Sequence, residues 1–374
     1  MPSVRVRRSG VGRTRFVALY RDPTGKQRSA GTFANQRDAE RAGRRAESAV
    51  ELGGWINPAA GRIGFRRYVE DVWLPSRHVE VSTMAGYRNY LDKHFLPFFG
   101  DQAMADILPS KVQDWVTAAV RSGLSPTSVV KYHVMLHSVF KRAVRDRVIA
   151  SNPCEGTELP KIPPRKFRIL TPEEYQQLIA HIPERYQVLV QTDIETGLRW
   201  GELIALRPRH LDLVRGVVSV EQTIVEVSRK HSPTGERMIV KNYPKDDEFR
   251  SLRISAFLVR RLERHIEQLG LGADDLLFSS TGKAGGNPIS RNSFRTKVWL
   301  PAVEASRLDF GVRVHDMRHA HASWLLAGGA DLKSVMDRLG HAQIQTTQKY
   351  LHSLPDADDK ALAAFEAIRD RAAR

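Results

Sequence analysis

The chain has 374 residues, with 58 Lys or Arg against 42 Asp or Glu, a formal charge of +16 and a pI near 10.1. A hydrophobic fraction of 41% beside 27% charged residues supplies enough apolar surface for packed cores and excludes a chain disordered throughout. No apolar run approaches the ~18 residues needed to span a bilayer, and a single cysteine, Cys154, excludes an intramolecular disulfide and a multi-cysteine zinc site. The stretch Met1 to Arg8 has no apolar segment behind its basic residues, so no secretory signal is expected. The reading is a soluble, cytoplasmic protein of two or three domains whose surplus charge asks for a polyanionic partner, most often nucleic acid.

The first 60 residues hold 12 Lys or Arg and 5 acids, almost half the net excess. Arg15 to Arg21 reads as a strand, Asp22-Pro23-Thr24-Gly25 as a turn and Lys26 to Phe33 as the return strand. Asn35 caps a helix through Ala39, Ala42, Ala46 and Val50 that ends near Gly53-Gly54. A small basic sheet backed by one helix suits a DNA groove. Its candidate contacts are Arg5, Arg7, Arg8, Arg13 and Arg15.

Residues 61–150 read as all-helical. Phe65, Tyr68, Val69, Val72 and Trp73 recur at helical spacing. Ser82 is expected to cap a helix through Tyr87, Tyr90, Leu91 and Phe95. Pro109 opens the next, and Ser125-Pro126 opens one through Val129, Leu136, Phe140 and Val144. The last carries Lys131, Lys141 and Arg142 on its polar side, either a solvated face or phosphate contacts. Leu159 to Lys166 is proline-rich and basic, an extended linker.

After the helix start Thr171-Pro172-Glu173-Glu174 the chain reads as mainly helical with one β insertion. Its strands are expected at Val217–Val220, around Ile224–Val227 and at Ser251–Ile254, and short helices follow from His315, divided by Gly328-Gly329 and Gly340-His341. Four patches here carry chemistry: Thr196-Gly197-Leu198-Arg199-Trp200-Gly201-Glu202, Tyr243-Pro244-Lys245-Asp246, His315-Asp316-Met317-Arg318-His319, and Leu339-Gly340-His341 running on to Tyr350. Taken singly, each has a structural explanation: Arg199 pairing with Glu202, Lys245 as a turn lysine, His315 as a cap, Tyr350 as a core residue. His315, His319 and His321 raise a metal site, but Arg318 stands among them and a fixed cation repels a dication, so no metal is expected.

Together the patches resemble the tyrosine recombinase family, the phage-type integrases. That family's pattern is an Arg in a T-G-x-R-x-G-E-like segment, a hairpin Lys, H-x-x-R, then L-G-H with a Tyr nine residues beyond that His. The resemblance covers about Thr171 to Leu354 and implies a mainly α fold with small β elements (α+β). It further implies a catalytic domain at 169–374, a helical core-binding domain at 61–156, a linker at 157–168 and a small sheet-plus-helix arm-binding domain at 1–58. The catalytic set it implies is Arg199, Lys245, His315, Arg318, His341 and the nucleophile Tyr350, with no cofactor.

The chemistry suits those residue types. Two guanidiniums can hold the non-bridging oxygens of a phosphodiester and stabilise the pentacoordinate transition state. A phenol of pKa ~10 is only ~0.1% ionised at pH 7 and needs a nearby proton acceptor or a strongly cationic site; His315 can help as the acceptor. Lys245 can protonate the departing 5′ oxygen, and His341 can bond the phosphate. In many relatives Thr follows the hairpin Lys and a Ser-x-Arg lies close behind. Here Asp246-Asp247-Glu248-Phe249 follow and Ser251-Leu252-Arg253 comes later, so Lys241 rivals Lys245. Glu202 reads as a structural partner that orients Arg199 or a neighbouring helix, and the six tryptophans as core and interface anchors.

The resemblance also implies duplex DNA with core-type and arm-type sites as partner, a homotetramer on DNA, a host DNA-bending protein and an excisionase, and a C-terminal helix through Leu362, Phe365 and Ile368 docking on a neighbour. The outcome read from it is integration or excision of a phage or mobile element in a bacterial host. Competing readings are a Xer- or transposon-type resolvase, a type IB topoisomerase-like enzyme, and a DNA-binding regulator with a relic catalytic domain. Relaxation of supercoiled DNA without a preferred site would mark the topoisomerase.

Overall fold

The computed structural model describes residues 3–8, 14–57, 59–163, 168–242, 249–340 and 369, and of Arg8 the backbone alone. It separates into two compact units, Met1–Pro163 and Pro164–Arg374.

The first unit begins with an antiparallel sheet in the order β1 (Ser3–Arg8), β2 (Thr14–Arg21), β3 (Gln27–Phe33). The β2–β3 hairpin is the one expected from the sequence. Strand β1 is an addition to it, consistent with the alternation of Val4 and Val6 with Arg5 and Arg7. Buried Ala18 and Tyr20 on β2 meet helix α1 (Gln36–Glu51), whose buried residues are Ala39 and Gly43. Asn35 caps α1 by accepting from the Asp38 N–H at 2.8 Å. Trp55 Nε1 donates to Tyr20 Oη at 2.8 Å and returns the chain to the sheet.

The helical part of this unit contains α2 (Phe65–Tyr68), α3 (Val81–Tyr90), α4 (Leu96–Phe99), α5 (Pro109–Arg121) and α6 (Pro126–Arg145). Phe65, Tyr68, Trp73, Phe95, Phe99, Trp115, Leu136 and Phe140 form its core. Phe65 packs on both Phe99 and Phe140, at centroid distances of 5.6 and 5.8 Å. Ser125 caps α6 as expected, accepting from Ser128 N–H at 3.2 Å. Ser82 does not cap α3: the helix starts at Val81, which puts Ser82 inside the first turn, and the capping position belongs to Glu80.

One local device recurs in both units. Single π-helical turns at Val69–Trp73, Leu91–Phe95 and Arg295–Trp299 each run into Leu-Pro, at Pro75, Pro97 and Pro301. A proline ring clashes with the carbonyl four residues back and offers no N–H to it. The wider turn relieves that clash, and Leu74 N–H bonds the Val69 carbonyl at 2.9 Å instead.

The second unit is helical around two small antiparallel sheets. It comprises α7 (Pro172–Ala180), α8 (Glu184–Thr196), α9 (Trp200–Leu203), β4 (Leu211–Asp212), β5 (Val217–Val220), β6 (Thr223–Glu226), β7 (Met238–Lys241) and β8 (Arg250–Arg253). It continues with α10 (Ala256–Leu269), α11 (Arg291–Phe294), α12 (Leu300–Ala305), α13 (Val314–Ala327) and α14 (Leu332–Leu339). One sheet has the order β4-β5-β8 and the other pairs β6 with β7. Thr171 and Glu174 form a reciprocal capping box at the head of α7. Buried Leu189, Leu203, Val218, Leu252, Leu258, Trp299 and Met317 tie helices and sheet into one core. The fold is mainly α with small β elements, and among the described residues no helix is long and apolar enough to cross a membrane.

Phe140→Ala removes a fully buried ring from a close-packed aromatic cluster. It should destabilise the first unit by about 3–5 kcal/mol, read as a lower denaturant midpoint in unfolding of the full chain.

Candidate active site

Helix α8 stops at Gly197, which adopts the left-handed conformation at φ 62°. A Cβ there would meet His321 Cδ2 at 2.6 Å and Leu339 Cδ2 at 2.9 Å, so the turn passes close beneath α13 and α14. Two residues on, Arg199 occupies the cap of α9. Its backbone N–H donates to Glu202 Oε2 at 2.9 Å and its Nη1 to Glu202 Oε1 at 3.0 Å. Gly201 lets α9 lie against β6, because a Cβ there would sit 2.6 Å from the Ile224 carbonyl oxygen. Glu202, read from the sequence as an orienting partner, is 1% exposed and does bond Arg199.

Glu202 has a second partner, one that sequence reasoning missed. Arg250, at the start of β8, donates from Nη2 to Glu202 Oε2 at 2.6 Å and from Nη1 to Oε1 at 3.3 Å. Burial pushes the Glu202 carboxyl up, but the bonds and charge of Arg250 and then Arg199 outweigh it, and its pKa is lowered.

The guanidiniums then converge on the end of α14. Arg250 Nε donates to the Arg338 carbonyl at 3.0 Å, Arg318 Nη2 to the Leu339 carbonyl at 2.6 Å, and Arg199 Nη2 to the Gly340 carbonyl at 2.7 Å. Three successive carbonyls at a helix C-terminus, left without helical partners, thus receive three arginines from three different elements. Arg318, 2% exposed, also donates to the Gly197 carbonyl at 2.5 Å, closing the loop back to the turn before Arg199. Asp193 on α8 is buried nearby; burial pushes its carboxyl well above the usual range, and the Arg318 charge opposes this.

The histidines of α13 are held neutral. His315 keeps an exposed edge, yet the protein around its ring, reinforced by Arg318, Arg291 and Arg313, pushes its pKa down to about 4. His319 packs edge-on against it at 4.7 Å and is also pushed down to about 4, by burial first and then by His315. His321 accepts from Arg338 Nε on its Nε2 at 3.1 Å. Its proton therefore sits on Nδ1, which donates to the Ile194 carbonyl at 2.8 Å. Both ring nitrogens are committed to packing α13 on α8 and α14, and burial pushes the pKa down to about 3.

Of the expected catalytic set, the structure brings Arg199 and Arg318 onto adjacent carbonyls and places His315 three residues before Arg318 at the head of α13. Lys245, His341 and Tyr350 lie outside the described residues, as do His352 and the C-terminal helix residues Leu362, Phe365 and Ile368. Lys241 ends β7, paired with Thr223. A signal for Arg250 was present in the strand alternation: it shares a face with buried Leu252, whereas Ser251 and Arg253 point outward.

The sequence model described as the Phage integrase family matches residues 168–356, and that of the phage integrase N-terminal SAM-like domain matches 67–119. A putative prophage phiRv2 integrase of Mycobacterium tuberculosis is 30% identical over 378 residues, covering 98% of this chain and 96% of that protein. The chain belongs to the phage integrase family. It is a site-specific tyrosine recombinase. The fold is shared with the Tn1549 transposon integrase in complex with transposon right end DNA, at a TM-score of 0.68 and 17% identity over 82% of this chain and all (100%) of that one. It is also shared with a lambda integrase tetramer bound to a Holliday junction, at 0.59 and 21% over 92% and 94%.

In this recombinase the basic candidates of the first unit take different environments. Arg5, Arg7 and Arg15 are exposed, and Arg7 stands directly opposite Arg15 across β1 and β2. The Arg8 side chain and Arg13 lie outside the described residues. Lys131 and Lys141 are exposed on α6, Lys131 lying over the Tyr90 ring at 5.3 Å. Arg142 instead bonds Asp146 at 2.7 and 2.8 Å, and Asp146 also accepts from Tyr68 Oη at 3.0 Å.

The buried His321 makes stability pH-dependent. Above its ordinary value of 6.5 the ring is neutral folded or unfolded; between there and its folded value of about 3 only the unfolded chain binds the proton. Acidification through that window should cost about 1.4 kcal/mol per pH unit from this group. Denaturant titrations at pH 7.5, 6 and 5 should show the loss, with a shallower pH slope in His321→Asn.

Proposed function

We propose that this recombinase cuts and rejoins duplex DNA through a 3′-phosphotyrosyl bond on Tyr350, integrating or excising a prophage or related mobile element. The observation that carries the reading is the anchoring of Arg199 and Arg318 on the Gly340 and Leu339 carbonyls, immediately before the segment that runs from His341 to Tyr350. Guanidiniums fixed in this way need no reorganisation when a pentacoordinate phosphorane develops charge. His315, neutral at physiological pH beside Arg318, can accept the phenol proton. Lys245, with Lys241 as the alternative, protonates the 5′ leaving oxygen, and His341 bonds the phosphate. The bond broken between phosphorus and the 5′ oxygen is replaced by one to the Tyr350 oxygen. A 5′ hydroxyl of the partner strand reverses the step, so no nucleotide cofactor or metal is required.

In this reading residues 1–58 hold arm-type DNA, residues 61–156 clamp the core site, 157–168 link them, and 169–374 cut. The exposed arginines of the N-terminal sheet support the arm role: like charges held opposite one another cost energy unless an anion relieves them. Lys131 and Lys141 are the candidate core contacts. The lambda integrase tetramer on a Holliday junction supports assembly of four protomers on DNA. A host bending protein and an excisionase complete the expected assembly in a bacterial cytoplasm.

Tyr350→Phe should retain DNA binding in mobility-shift assays and form no covalent adduct on a nicked core duplex selected by the wild-type protein from a randomised pool. An adduct with that variant removes Tyr350 as nucleophile. Deleting residues 1–57 should spare adduct formation on that duplex while abolishing binding to a second, separately selected DNA site; unchanged binding to both removes the arm role.

A further inference from the structure

We propose that Arg250 is a positioning residue for strand cleavage: it shares the Glu202 carboxylate with Arg199 and thereby preserves the positive charge that Arg199 presents to the scissile phosphate. The inference rests on the role given to Arg199 above.

The physical problem is charge balance. A carboxylate paired with one guanidinium forms a neutral unit, and a neutral unit is a poor stabiliser of a developing phosphorane dianion. Glu202 makes two bonds to Arg199, one from its backbone N–H and one from Nη1. It is buried and cannot be screened by water. Left to Arg199 alone, this carboxylate would cancel the charge needed for the phosphate. Arg250 changes the sum, because it puts two bonds on the same carboxylate from a side chain that is only 8% exposed. Two guanidiniums on one carboxylate leave one net positive charge, and Arg199, with 27% of its side chain exposed, is the more accessible of the two.

Arg250 also acts on the backbone. Its Nε holds the Arg338 carbonyl, two residues before the Gly340 carbonyl that Arg199 holds. Gly340 is left-handed at φ 61°, and a Cβ there would lie 2.9 Å from Arg250 Nη1. The guanidinium and the glycine therefore fit against each other at the point where α14 ends and the chain turns toward His341. One side chain on β8 thus sets both the charge beside Arg199 and the backbone at the end of α14.

The test uses the full-length protein and the selected nicked core duplex, reading the single-turnover rate of adduct formation at saturating DNA and the Kd by mobility shift. Arg250→Gln should slow the rate about 100-fold, the scale of losing one preorganised donor at a phosphate or oxyanion, with Kd changed less than about threefold. Glu202→Gln combined with Arg250→Gln should be faster than Arg250→Gln alone, because it also removes the carboxylate that neutralises Arg199. Arg250→Lys keeps the charge without the two-point contact and should fall between, which gives a readout if the glutamine variant folds poorly. A rate for Arg250→Gln within about threefold of wild type, or a double variant no faster than the single, overturns the inference. Arg199→Ala with undiminished cleavage would instead overturn the site reading on which it rests.

Discussion

The end of α14 is the constraint on which the candidate active site depends. A helix must leave its last carbonyls without internal partners, and here the three that close it, from Arg338, Leu339 and Gly340, are each met by an arginine from elsewhere in the unit. Arg250 comes from a strand, Arg318 from the first turns of α13 and Arg199 from the cap of α9. The negative end of the helix dipole makes their convergence favourable despite their mutual repulsion. Glu202 and the Gly197 carbonyl complete the set of acceptors.

Burial, reinforced by these cations, governs the histidines. The rings of His315 and His319 lie among guanidiniums and packed protein, and both are neutral at physiological pH. A neutral imidazole next to a cluster of guanidiniums is suited to receive a proton, whereas a protonated one would add to the charge without moving it. His321, deeper in the same helix, serves the scaffold instead. Its two nitrogens join the Ile194 carbonyl to Arg338 and so hold α8, α13 and α14 together behind the arginines.

The scaffold shows the same economy of local causes. Three π-turns precede three Leu-Pro pairs; at Pro97 and Pro301 a short α-helix follows, whereas at Pro75 the helix ends. Glycine is demanded where backbones come close: Gly197 under His321 and Leu339, Gly201 against Ile224, Gly340 against Arg250. These positions explain why the segment around Arg199 carries two glycines within five residues.

Much of this was legible in the chain itself, for reasons that are local. Helix starts at Asn35, Ser125 and Thr171 follow from side chains that cap their own backbone, and the fixed spacings from His315 to Arg318 and from His341 to Tyr350 mark the family without any coordinates. Ser82 misled because a capping residue type was present one residue inside the helix it was meant to start. The strand at Ser3–Arg8 was missed because three arginines in a run of six residues concealed a simple alternation. Sequence alone therefore determined the family and most of the helices and strands, because motif spacing and capping are local properties of the chain. Only tertiary structure decided that Arg250, rather than Arg253, turns inward to Glu202 and that Arg142 is committed to Asp146, because an ion pair depends on distances between segments that local propensity does not encode.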